Sequence, residues 1–109
     1  MIAKETRYFY MLDDFQKDVA KKAHIDREDV IGDISNSTMA ITNASAEAME
    51  TMFLAVVTNK LVDMERLIGA VSDILWEVAK TAELAGVQLS DVAGYAVDKH
   101  DDQPDRRVL

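Results

Sequence analysis

The stretch Asp63-Met64-Glu65-Arg66-Leu67-Ile68-Gly69-Ala70-Val71-Ser72-Asp73-Ile74-Leu75-Trp76 decides the fold class. Its apolar positions continue as Leu67, Val71, Ile74, Leu75, Val78 and Ala82, the three-and-four spacing of a helix packed in a bundle. Asp63 is placed to cap the start, with Arg66 as an early exposed residue, and Gly86 to end the helix in the left-handed conformation. The chain around it is built alike. One Pro and four Gly among 109 residues, in a sequence rich in Ala, Met, Leu, Glu and Lys, predict an all-α fold.

Working outward, the preceding segment predicts an amphipathic helix from about Thr38 to Asn59, with Ile41, Met49, Met52, Phe53, Val56 and Val57 as its core face. Before it, Asp26 reads as a cap with Asp29 as a weak capping-box partner, and the polar run Ser35-Asn36-Ser37-Thr38 predicts a break or kink. A first helix is expected from Tyr8 to Ala23, with Phe9, Leu12, Phe15 and Val19 on one face, Met11 beside them. After Gly86, Ser90 is expected to cap a short last helix through Val92, Ala93 and Val97, with Asp91 favourable in its first turn. Residues 1–99 then form one domain, a bundle of four or five helices, and 100–109 a flexible, charged tail containing Pro104. Long apolar faces on two helices of so short a chain predict surface to be buried in a symmetric homo-oligomer.

Composition removes several function classes. A formal net charge of −8 disfavours nucleic acid, whose phosphates need clustered Lys and Arg. The absence of Cys excludes disulfides, thiolate zinc sites and cysteine nucleophiles. His24 and His100 lie far apart, so a histidine metal site is not expected. Neither a signal peptide nor a membrane span is legible, and the cytoplasm is the expected location.

One pattern suggests chemistry. Glu47 and Glu50 sit three residues apart in Ala46-Glu47-Ala48-Met49-Glu50-Thr51 and so share a helix face. Asn43 continues that stripe one turn earlier. Asp73, on a facing helix, would complete a carboxylate cage for Mg²⁺, a cation that prefers hard oxygen ligands, with Mn²⁺ as an alternative. The bland reading is a solvated helix face for the glutamates, an ion pair with Lys80 or Arg66 for Asp73, and core packing for Trp76.

These residues resemble the MazG-like all-α nucleoside triphosphate pyrophosphohydrolases. The run from Asp63 to Trp76, then Leu84-Ala85-Gly86-Val87-Gln88-Leu89-Ser90-Asp91-Val92-Ala93, is similar to the second half of that family, and Glu47-Ala48-Met49-Glu50 to its Glu-x-x-Glu motif. The resemblance reaches, more weakly, back to Leu12-Asp13-Asp14-Phe15-Gln16. It implies cleavage of a (d)NTP to (d)NMP and pyrophosphate, with Glu47, Glu50 and Asp73 as metal ligands and Lys99 as a phosphate-side residue, in a homodimer or homotetramer. Metal-ion catalysis of that kind needs no nucleophilic side chain. Two departures stand against it. The second motif reads Ala70-Val71-Ser72-Asp73, with Ala70 where the family has glutamate, and Ala96 stands where the family often has asparagine. Glu77, one turn after Asp73, is a substitute some 6 Å further along the axis, at ~1.5 Å per residue. The alternative reading is therefore an inactive descendant, a helical oligomer that binds nucleotide or a protein partner.

Overall fold

The computed structural model describes residues 11–101 as four helices joined by short connections. They are α1 (Leu12–Lys22), α2 (Val30–Thr58), α3 (Met64–Ala85) and α4 (Leu89–Asp101). The all-α expectation holds. Among the described residues no helix is long and apolar enough to cross a membrane.

α2 and α3 make an antiparallel hairpin, the most extensive packing in the molecule. At the turn, Asn59 takes the left-handed conformation (φ 53°). Asp63 then caps α3 as expected, its carboxylate accepting from the Arg66 backbone N–H at 3.1 Å. Gly86 ends α3 at φ 75°, a backbone conformation that a side chain would strain.

The expected break near Ser35 does not occur, and α2 runs unbroken through it. Ser35 and Asn36 face water, while the hydroxyls of Thr38 and Thr42 donate back to the carbonyls of Ile34 and Thr38. Polar side chains satisfied in this way do not compete for the helix's own backbone bonds. The start also moves. Asp29, not Asp26, caps α2, accepting from Gly32 N–H at 3.1 Å. Asp26 accepts from the N–H groups of Glu28 and Asp29 and so shapes the turn that leads in.

The larger surprise is which face of α2 is buried. Asp33, Ser37, Ala44 and Thr51 are covered, whereas Met49, Met52, Phe53, Val56 and Val57 are exposed. A seam of small residues lets α2 lie close against α3, where Ala70 and Ala79 are equally buried. Thr51 tolerates burial because its hydroxyl donates to the Glu47 carbonyl at 2.8 Å.

α1 and α4 close the base of the hairpin. Val19, Ala79, Ala82 and Leu89 form the buried cluster, with Phe15 and Trp76 packed on it. Leu12, expected on the α1 core face, is 41% exposed, and Phe9 lies outside the described residues. α4 begins at Leu89, so Ser90 sits inside its first turn and is no cap. Its N–H and hydroxyl donate to the Asp13 carboxylate on α1 at 2.9 and 2.8 Å. α4 also runs beyond residue 99 to Asp101, and the remainder of the expected tail lies outside the described residues. A Cα radius of gyration of 16.3 Å exceeds the roughly 13 Å of a compact domain of this length. The long axis of 47 Å is close to the length of α2, about 44 Å at ~1.5 Å per residue.

Candidate functional site

The antiparallel hairpin brings the expected site residues to one region. Asn43, Glu47, Asp73, Trp76 and Glu77 line a cleft of about 400 Å³ between α2 and α3, floored by Ala40 and Ala44. Facing-helix placement of Glu47 and Asp73 is therefore as the sequence suggested, and Glu77 joins them. Glu50 is not among the lining residues. Lys99 lies exposed in the last turn of α4 and is also not among them.

Arg66, expected from the sequence as an early exposed residue or an ion-pair partner of Asp73, changes the chemistry. Arg66 crosses the hairpin and its Nε donates to Glu47 Oε1. Its Nη2 stands 3.4 Å from Glu50 Oε1. One guanidinium thus joins both motif glutamates in a geometry that suits its planar fork. The Arg66 hydrogen bond holds the Glu47 carboxyl below its ordinary range. The same bond, then the proximity of Glu50, pushes the guanidinium higher still, so it is charged at every working pH.

Two ion pairs cross the hairpin in one register, Glu47 with Arg66 and Asp33 with Lys80. Both pairs centre between Val56 and Val57 rather than on the turn, so the position of the turn does not by itself give the pairing. The second pair is formed at 3.2 Å between Lys80 Nζ and Asp33 Oδ1, with both side chains largely covered. Asp33 Oδ2 accepts the Asp26 N–H at 2.8 Å. That backbone bond first, and Lys80 second, holds the Asp33 carboxyl low. Lys80 is therefore engaged by Asp33, and Arg66 by the two glutamates, rather than by Asp73.

As arranged, these carboxylates do not fit a Mg²⁺ cage. Glu47 accepts from Arg66 and Glu50 is ion-paired with it, and Ala70, where the resemblance calls for a glutamate, is only 4% exposed at the helix seam. Among the described residues no group of three or more acidic or histidine side chains is placed to hold a metal ion. Asp73 and Glu77, which have no ion-pair partner among the described residues, would also repel a bare triphosphate.

Towards the hairpin turn the surface becomes apolar. Ala48, Met49, Met52, Phe53, Val56 and Leu67 line a shallow groove, and on α3 Met64, Val71 and Leu75 are 46–49% exposed. No protein-family model, curated protein or solved structure matches the chain.

Proposed function

We propose that this chain is a non-catalytic, MazG-like helical protein that works by self-association through the turn-proximal half of α2 and α3. The observation that carries the reading is the exposed apolar face, with Met49 at 75%, Phe53 at 63% and Val56 at 77%. Counting its neighbours on α2, the turn and α3, this face offers on the order of 1,000 Å², taking about 170 Å² per fully exposed large side chain. An ordinary monomer carries an apolar patch of about 300–600 Å², and a stable interface buries about 800 Å² per partner. A second copy is the occupant favoured by symmetry, because an apolar stripe along a helix hairpin is readily self-complementary about a twofold axis. A homodimer or homotetramer follows. The Arg66 pairing supports the loss of turnover, since it engages the glutamates that the chemistry would need.

A second reading is favoured by one observation, the shared cleft of Asn43, Glu47, Asp73 and Glu77. In it the protein is a Mg²⁺-dependent nucleotide pyrophosphohydrolase, converting (d)NTP to (d)NMP and pyrophosphate with a reduced carboxylate set. Pyrophosphate release from a panel of ribo- and deoxyribonucleoside triphosphates, with and without Mg²⁺, separates the two. The first reading expects no turnover, together with a sedimentation coefficient that falls to the monomer value in Phe53→Asp. Metal-dependent turnover lost in Glu50→Ala would establish the second. Ala70→Glu sharpens the contrast: with an intact site it raises turnover, whereas in the packed seam it costs about 3 kcal/mol of stability through overpacking and a buried charge.

A further inference from the structure

The two glutamates at the middle of α2 have a cation already, supplied by the chain. We propose that Arg66 is a built-in replacement for a divalent ion at Glu47 and Glu50, so that the α2–α3 hairpin is closed without metal and excludes metal while Arg66 is in place. The inference deepens the non-catalytic reading above and rests on it.

Three features carry it. Glu47 and Glu50 are i,i+3 neighbours, and without a counter-ion two like charges on one helix face oppose each other and the hairpin. Arg66 reaches both, bonding Glu47 and standing 3.4 Å from Glu50, and the Asp63 cap pins the backbone from which it reaches. Its side chain is 30% exposed against 45% and 60% for its partners, so Arg66 is the most covered of the three. Mg²⁺ and Mn²⁺ bind carboxylate oxygens at about 2.1 Å in near-octahedral geometry. The guanidinium stands against Oε1 of both glutamates, which takes one oxygen of each from an ion bridging the pair and adds like-charge repulsion. Unlike an ion, it cannot be chelated away, and it stays charged across the accessible pH range.

The test compares wild type, Arg66→Met and Arg66→Lys in EDTA and in excess Mn²⁺, reading thermal melts and the free Mn²⁺ signal by electron paramagnetic resonance. Wild type is expected to melt at the same temperature in both conditions and to leave the Mn²⁺ signal unchanged. Arg66→Met is expected to melt lower in EDTA and to recover about 5 °C in Mn²⁺ at tenfold excess over its Kd. That recovery should disappear when Glu50→Gln is added. Arg66→Lys keeps a cation near the pair and should stay as indifferent to Mn²⁺ as wild type, while melting lower because an ammonium lacks the fork that joins both carboxylates.

An Arg66→Met protein as indifferent to Mn²⁺ as wild type would overturn the proposal, as would Mn²⁺ binding by wild type. If Arg66→Met does not fold in EDTA, return of its helical circular dichroism on adding Mn²⁺ supports the proposal. Failure to return, with Arg66→Lys folded, overturns it. Turnover and self-association are read on wild type alone. Inert, self-associating wild type with an indifferent Arg66→Met therefore sinks only the cation replacement, while metal-dependent turnover by wild type sinks the non-catalytic reading as well.

Discussion

The two ends of the α2–α3 hairpin are held by different physics. At the base, α1 and α4 clasp α3: Val19 and Ala79 are fully buried, and Gln16 ties three segments together. Its Nε2 donates to the Val87 carbonyl at 2.8 Å and to Glu83 at 3.2 Å, while its Oε1 accepts the Leu89 N–H at 2.6 Å. Arg27 joins Glu83 from the α1–α2 connection. Near the turn no third helix among the described residues packs on the pair. Small residues and the Arg66 pair hold the two helices, and the large apolar side chains look outward. The difference teaches that a helix can bury either stripe of a two-sided pattern, and that the partner available in the chain decides which.

The contrast can be broken most forcefully at the base. Leu89→Ala removes a side chain that is 4% exposed and is expected to cost about 3 kcal/mol by urea denaturation. A loss under half that would mean α4 docks loosely. Gln16→Ala leaves the Leu89 N–H and the Val87 carbonyl without their partner at a buried joint, which costs about 2 kcal/mol. Hydrogen exchange should then speed up first in α4 and the end of α3.

Acid tests both ends together. Asp13 is held low by the Ser90 N–H and hydroxyl, Asp33 by the Asp26 N–H, and Glu47 by Arg66. Each folded-state value lies below the unfolded one, so the unfolded chain binds more protons in the interval between them. The stabilisation is complete above the ordinary carboxylate values, near 4, and is lost as pH falls through the lowered ones. A melting temperature that is flat from pH 7 to about pH 5 and drops below about pH 4 is the expected profile, and Asp13→Asn should make that drop shallower.

Smaller effects sharpen the comparison. Gly86→Ala places a side chain at φ 75° and should cost about 1 kcal/mol. At the turn end, Phe53→Ser should change the stability of the dilute chain by less than about 0.5 kcal/mol, the range of exposed positions. The same substitution in the buried cluster would be ruinous. If it costs more than 1 kcal/mol only at high protein concentration, the missing stability belongs to association.

How much of this was legible varies by residue. The α3 boundaries could be read because Asp63 and Gly86 act locally, through a cap and a left-handed stop. The α2 start slipped from Asp26 to Asp29 because both aspartates bond nearby N–H groups, and only the path of the turn decides which is the helix cap. The joined helix through Ser35–Thr38 was missed because composition does not reveal that Thr38 and Thr42 hydroxyls bond within the helix. The cleft was legible in part. Spacing brought Glu47 and Asp73 together, but the role of Arg66 needed the register of the hairpin.

What the sequence by itself determined is the helical class, the Asp63 cap and Gly86 stop of α3, and the apolar stripe on α2, since these rest on neighbours three or four residues away. Tertiary structure decided which stripe is buried, whom Arg66 and Lys80 pair with, and that Ser90 serves Asp13. Those outcomes depend on how closely two backbones approach. Here the small side chains of Ser37, Ala44, Thr51 and Ala70 allowed a tight seam, and the larger apolar residues were left on the outside.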